Sequence, residues 1–414
     1  MSKFLITGSL LMHWQCALAG LVAIIVGSAS SFFHSVAADA GSTPITWKKT
    51  HIDKIFRSEG AAVADVNKDG KLDIIAGDVW YEAPDWKMHE IRKPGDYGDG
   101  VKGYSNSFAC FVDDFNGDGW PDVIVIGFPG KPCHWYENPK GEPGHWKEHL
   151  IWRSACNETP QYVDLFGDGK RKLIMAIQPE GQMCWFQPGK DPTQPWEMHP
   201  ISQPSAPGKK VPGTDVYSHG LGVGDVNGDG RLDVICTGGW WEQPARDDGK
   251  PWIFHACKIG EDCADMYAFD MDGAGKADII SSSAHLYGIW AHKQLTESSF
   301  QTKALFPKLF SQTHALNFVD INGDGLKDLV TGKRWWAHGP TGDADPNLAP
   351  VLYWFEAKKD RNGMTQFMPH QIDADSGIGT QFVVTDVNGD KLPDIVIANK
   401  KGVFLFEQVR EKGK

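Results

Sequence analysis

A seven-bladed, all-β propeller is the fold class this 414-residue sequence predicts, and three observations predict it. A short apolar strand, an Asp-rich turn and a second apolar strand recur seven times along the chain, the kind of self-similarity that announces a repeat architecture. Each copy also carries an aromatic strand and an outer strand, so four antiparallel strands fill a repeat of roughly fifty residues, the size of one blade. Finally, 46 Gly, 25 Pro and 17 Trp supply turns and sheet packing, and no alanine-rich helical pattern follows the first forty residues. The charge balance of 41 basic against 53 acidic residues, −12 in all, leaves no basic stripe for nucleic acid. An apolar share of 41% excludes wholesale disorder.

The N-terminus reads as a secretory signal over residues 1–38. Lys3 precedes an apolar stretch densest at 17–26, and Ser35, Val36, Ala37 and Ala38 suit a signal peptidase. An uncleaved anchor is the alternative, although the stretch falls short of the about 20 apolar residues of a full span. No later stretch would cross a bilayer. The mature chain, 39–414, is then one propeller domain, secreted or periplasmic. Cys16 leaves with the signal, and the seven remaining cysteines are an odd number, so at least one lacks an intramolecular partner. Cys110, Cys184 and Cys236 fall inside apolar strand patterns, where a buried inert thiol is expected.

Next come the Asp turns. Four run Asp65-x-Asn67-x-Asp69-Gly-x-x-Asp73, Asp114-x-Asn116-x-Asp118-Gly-x-x-Asp122, Asp225-x-Asn227-x-Asp229-Gly-x-x-Asp233 and Asp320-x-Asn322-x-Asp324-Gly-x-x-Asp328; a fifth is Asp386-x-Asn388-x-Asp390-Lys-x-x-Asp394. Oxygen donors at positions 1, 3, 5 and 9, with a carbonyl at 7, wrap one calcium ion. An EF-hand is excluded, since its twelfth-position Glu is replaced by Ala76, Cys236, Thr331 and Ile397. The two other copies are degenerate. Asp270-x-Asp272 loses its middle acid at Ala274, and Asp164…Asp168 ends on Lys172, whose ammonium stands in for an ion. Asx-type turns with no ion are the competing reading. The seven turns hold 20 Asp, and without them bases outnumber acids, so the acidity is concentrated at these loops. Such ions would be structural.

The third strands carry Trp80-Tyr81-Glu82, Trp135-Tyr136-Glu137, Trp185-Phe186-Gln187, Trp240-Trp241-Glu242, Trp290, Trp354-Phe355-Glu356 and Leu405-Phe406-Glu407. The outer strands carry His89, His149, His199, His255 and His370, which recur with the repeat and read as structural. Trp47…His51 stands before the first turn without a blade, and the seventh unit lacks an outer strand. The N-terminal strand should therefore complete the last blade in a 3+1 closure, removing open sheet edges. At this point the turns and strands resemble FG-GAP/VCBS repeats, the calcium-loop blades of seven-bladed propellers, over essentially the whole mature chain. That likeness implies a fold, and function has to come from sites grafted on it.

Residues that break the repeat are the place to look. A column about six residues before each Asp turn, at one rim of the channel, reads Glu59, Phe108, Glu158, His219, Ala264, His314 and Thr380. Glu158, His219 and His314 form a zinc-type donor set with room for an open position; a solvated polar channel mouth is the alternative. Loops opening on the same rim bring His285, Tyr287, Lys333, Arg334, Trp335, Trp336 and His338. Exposed Trp beside a polar pocket suits sugar stacking, unless Trp335 and Trp336 only pack between blades. The segments around Ser218-His219-Gly220, Gly239-Trp240-Trp241, Ala284-His285 and Lys333-Arg334-Trp335-Trp336-Ala337-His338 are similar to the propeller portion of aldos-2-ulose dehydratases, sugar dehydratases with a zinc ion in the propeller cleft. Their cupin and lectin domains have no counterpart here. The expectation is a zinc-dependent sugar lyase acting on a keto-sugar, with Glu59 or His285 as general base and Tyr287, Lys333 or Arg334 assisting the departing hydroxyl or the enolate. The alternative is a non-catalytic, calcium-stabilised propeller that binds glycan or protein. No P-loop, Rossmann glycine pattern or Gly-x-Ser-x-Gly is present.

Overall fold

The computed structural model describes residues 44–260 and 263–410, and among them every regular element is a β-strand. The signal segment expected at 1–38 lies outside the described residues. The strands form a β-propeller arrangement of four-stranded antiparallel meanders. Five sheets have four strands each. The sixth has eight, made of two such meanders joined where Leu221 and Gly222 pair in parallel with Asp265 and Met266. In the first sheet the order is Ala62–Ala64, Asp73–Ala76, Val79–Glu82, Lys87–Glu90. In the last, Ile45–Asp53 pairs antiparallel with Gly402–Arg410, outside Asp394–Asn399 and Phe382–Thr385. Trp47 thus lies opposite Gln408, and the two ends of the described chain are hydrogen-bonded into one sheet.

The first strands of the meanders face one another around the axis. Ala62–Ala64 touches both Ala109–Asp113 and Phe382–Thr385, which closes the circuit. Continuous apolar runs explain the packing between meanders. Inner strands such as Asp122–Ile126 and Lys172–Ile177 are buried on both faces, and each interface has its own cluster. One example joins Ile124, Trp135, Met175, Phe186 and Trp196 across the second and third sheets. The cysteines at 110, 133, 156, 184 and 236 are buried and unbridged.

The repeat fixes two polar devices. In the first, the ninth-position Asp of a turn is buried and accepts two backbone N–H groups. Asp73 takes those of Val66 and Ala83 at 2.9 and 2.8 Å, and Asp122, Asp233, Asp328 and Asp394 do the same in their sheets. One carboxylate thus staples the turn to the third strand. In the second, an outer-strand His lies flat on the aromatic ring opposite it, a Trp in five cases and Phe404 under His51. His89 stacks on Trp80, His149 on Trp135, His199 on Trp185, His255 on Trp240 and His370 on Trp354, with centroids 3.8–4.5 Å apart. Four of these also reach a Glu on the same third strand, as His149 reaches Glu137 at 2.8 Å.

Candidate metal centre

Entry loops just before the first strands carry the rim column. Glu158 precedes Gln161–Val163, His219 precedes Leu221–Gly224, and His314 precedes Leu316–Val319. The backbone laces these loops together. Asn157 bridges to Ser218, and Glu158 N donates to Ser218 O at 3.1 Å, which sets Glu158 beside His219. The left-handed φ of Gly220, +76°, turns the chain from His219 into the strand, and a Cβ there would meet Thr237 Cγ2 at 2.7 Å. His314 is positioned by Thr313, whose N–H and hydroxyl both donate to Ser283 O at 2.9 Å.

Glu158 Oε2 lies 3.0 Å from His314 Nε2 and 3.4 Å from His219 Nε2. The donor atoms of all three residues fall within 4.8 Å of one another. Two ligands of a tetrahedral zinc ion, each about 2.1 Å from it, stand about 3.4 Å apart, so these spacings match edges of such a tetrahedron. Burial pushes Glu158 up, yet its bonds to His219 and His314 override that and hold the carboxyl well below its usual range. Burial lowers His314 to about 3. An ionised carboxylate with a neutral imidazole is the protonation state a borderline divalent ion requires. His314 Nε2 hydrogen-bonds the Glu158 carboxylate, which can only accept, so without an ion the ring proton sits on Nε2; Nδ1, buried without a hydrogen-bond partner among the described residues, is free to take that proton when Nε2 binds an ion. The donor set therefore fits the ion.

His285 adjoins this group, its Nε2 3.1 Å from His219 Nε2. Its other nitrogen faces Asp343, which also meets His338. The remaining expected residues are placed differently. Glu59 is sealed in a buried ion pair: Arg334 Nη2 donates to Oε1 at 2.5 Å, and the Ser105 N–H and hydroxyl lie 3.3 Å from Oε2. At 1% and 2% exposure neither the Glu59 carboxylate nor the Arg334 guanidinium can meet a substrate, which removes Glu59 as the general base and Arg334 as a direct partner of the departing hydroxyl. Lys333 lies under its own loop, bonded to the carbonyls of Arg334 and Pro346, and burial lowers it to about 8. Its ammonium braces the loop and is not presented to the rim as expected. Tyr287 bonds Asp345 through its hydroxyl. Trp335 and Trp336 stack on each other at 4.5 Å, both half-buried.

Three residues at this end were not anticipated: Tyr104, Lys400 and Asp343. Tyr104 is half-buried, edge-on to His338 at 6.4 Å, and burial raises its hydroxyl to about 12. Lys400 Nζ lies 4.5 Å over the Tyr104 ring and donates to Trp336 O at 2.9 Å; burial lowers it to about 8. Asp343, like Tyr104, comes from a long connection with no repeat period, so only its acidic side chain in a Gly/Asp/Pro stretch gave any hint.

The Asp turns close on themselves. In the first, Asp65 accepts the N–H groups of Asp69 and Gly70, Asn67 that of Asp69, and Asp69 that of Lys71, all at 2.9–3.0 Å. Among the described residues, the carboxylates of these loops form no group of three within 4.8 Å. The degenerate third turn provides the test of fit. Lys172 Nζ lies 3.1 Å from Lys170 O, the seventh-position carbonyl, and 3.5 Å from Asp168 Oδ2 at position five. A cationic group thus sits against two of the oxygens a calcium ion would use, and the loop geometry accommodates one.

No family model matches the chain, and no curated protein matches it in sequence. Among solved structures, BBS1N in complex with ARL6DN, soaked with lead, aligns with 90% of this chain and 98% of its own, at 10% identity and a TM-score of 0.50. The mercury-soaked form of that complex aligns with 89% of this chain and 98% of its own, at 9% identity and a TM-score of 0.50. These are likenesses of fold alone. The rhamnogalacturonan lyase YesW aligns with 88% of this chain and 73% of its own, at 15% identity and a TM-score of 0.42, too distant to carry any inference.

Proposed function

We propose that the protein is an exported, zinc-dependent carbohydrate lyase of the dehydratase type, acting on a keto-sugar, on a seven-bladed propeller of FG-GAP/VCBS type. Counting the eight-stranded sheet as two blades gives the seven, in keeping with the seven apolar clusters among the described residues. Calcium in the intact Asp turns is part of the same reading, supported by the placement of Lys172. The observation that carries the function is the convergence of Glu158, His219 and His314, three residues outside the repeat, on one point at the rim.

Glu158, His219 and His314 would hold the zinc ion. When bound, zinc supplies a Lewis acid that polarises a substrate carbonyl and acidifies the adjacent C–H. The chain's own residues then orient the sugar and handle protons. His285, whose Nε2 faces the cluster beside His219, exchanges the proton with substrate. The Arg334–Glu59 pair keeps a buried guanidinium fixed within electrostatic reach of Glu158 and His314. Trp335 and Trp336 offer a stacked aromatic surface on the same loop. The likeness of these segments to the propeller of aldos-2-ulose dehydratases points to the substrate class.

His219→Ala and His314→Ala are expected to abolish turnover of 3-keto sugars or anhydrofructose and to lose about one zinc per chain, with the circular dichroism spectrum unchanged. Full turnover in both variants would reject the assignment. The second reading, a non-catalytic glycan- or protein-binding propeller, is favoured by the mutual neutralisation of Glu59 and Arg334. It predicts calcium without zinc in elemental analysis of protein purified without chelator.

A further inference from the structure

We propose that His285, Asp343 and His338 form a second divalent-cation site, adjoining the Glu158 cluster and coupled to it through the His285 ring. Asp343 Oδ1 is 2.8 Å from His338 Nδ1 and 3.2 Å from His285 Nδ1. The donor atoms of the three residues lie within 4.8 Å of one another. They come from two loops, one between the strands Asp278–Ser283 and Tyr287–Thr296 and the other following Asp328–Gly332, tied where Ala344 N donates to His285 O.

Hydrogen bonding accounts for only part of this arrangement. The His338 ring bonds both Asp343 oxygens, at 2.8 and 3.0 Å, and the His338 N–H donates to Oδ2. His285 Nδ1 is different. It is buried, faces the same carboxylate, and makes no hydrogen bond among the described residues. The nitrogen lies 3.2 Å from Asp343 Oδ1 but off the hydrogen-bond direction, so the two are held close without a well-formed hydrogen bond, a spacing that an ion touching both would also give. Two imidazoles and one carboxylate suit a borderline ion such as zinc or cobalt(II), whereas calcium takes oxygen donors alone. The His338 side chain is 48% exposed, which leaves an entry path and open positions for water.

The site has a consequence for its neighbour. An ion on His285 Nδ1 fixes the remaining ring proton on Nε2, the nitrogen that faces His219. With the ion bound, His285 presents an N–H toward the first cluster and acts there as the proton donor to a departing hydroxyl; without the ion, the same nitrogen is free to act as the base. The geometric case for the ion stands without the lyase reading; only this last role rests on it.

Cobalt(II) titration of the full chain in millimolar calcium, read by visible absorption and by elemental analysis after desalting, tests the site. About two cobalt per chain are expected, falling to about one in Asp343→Asn and in His338→Gln, and separately to about one in Glu158→Gln. His338→Gln alters an exposed side chain, so its folding is not at issue, and a thermal melt verifies both variants. One cobalt per chain that neither Asp343→Asn nor His338→Gln removes overturns the second site and leaves the first standing. Loss of all cobalt in Glu158→Gln overturns it too, because the two groups would then share one ion. No cobalt in the unmodified chain rejects both sites.

Discussion

The rim cluster and the outer strands use the same two residue types to opposite ends. On the outer strands a His meets a Glu at 2.7–3.1 Å in four sheets, and each ring is covered by a Trp. At the rim a His meets a Glu at 3.0 Å, a second His joins the same oxygen, and no Trp stacks on either ring among the described residues. Repetition spreads the first kind of pair around the circumference, one per sheet, where each closes on its own strand partners. Departure from the repeat brings the second kind onto one point, with lone pairs still free. A His–Glu pair is therefore no sign of a site in this fold. Convergence of unlike residues from several sheets is.

If that contrast is right, removing a repeated group costs stability and spares metal binding, and removing a rim group does the reverse. The largest expected effect is at the staple. Asp328→Ala strands the buried N–H groups of Ile321 and Ala357, at about 1–3 kcal/mol each. A clear drop in the urea midpoint with undiminished cobalt uptake is expected. His219→Ala should shift the midpoint far less while losing cobalt. A staple variant that folds normally, or one that loses rim metal, breaks the comparison.

A smaller effect separates the Asp turns from one another. The third turn has its own cation in Lys172, so only the five intact turns should respond to calcium. Chelation is expected to lower the melting temperature, and Lys172→Asp to add about one calcium per chain. Without calcium that variant should lose about 1 kcal/mol, since Asp168 and Asp164 then face a third carboxylate, and calcium should restore it. Unchanged melting on chelation, with no calcium found by elemental analysis, would leave the turns as closed Asx turns.

How far the sequence led depends on whether a residue obeyed the period. The short apolar run of Asp122–Ile126 after its Asp turn, recurring with the repeat, and the stray Trp47…His51 segment were enough for the meanders and for the closing strand. The rim column was legible because each member stands at a fixed offset from a turn. Position nine of the turns was legible only as an oxygen donor. Its staple joins Asp73 to a residue ten positions on and Asp328 to one 29 positions on, a variable loop length that hides a constant register. Asp343 and Tyr104 were missed because the connections carrying them have no period at all. Glu59 was identified as polar and inward, but its partner Arg334 is 275 residues away, and nothing local shows that the two cancel.

The smallest predicted effect tests whether an axial acid outside the cluster behaves as a structural group. Asp265 lies on a first strand beside a cavity of about 370 Å³ lined by Gln161, Tyr267, Asn317 and Gln381, and accepts the N–H of Leu316 at 3.0 Å and the Gln161 amide at 3.2 Å. Burial raises its carboxyl to about 7, against those two hydrogen bonds. The folded chain therefore holds a proton that the unfolded chain releases above its ordinary value of 3.8. Stability from this group is complete below that value and falls as pH rises toward 7, where the folded carboxyl must ionise. Asp265→Asn keeps an acceptor for Leu316 and removes the titration. The variant should gain on the unmodified chain between pH 5 and about 7.5 in paired urea melts. A difference between the two that does not change with pH would mean that the channel hydrates this carboxylate fully.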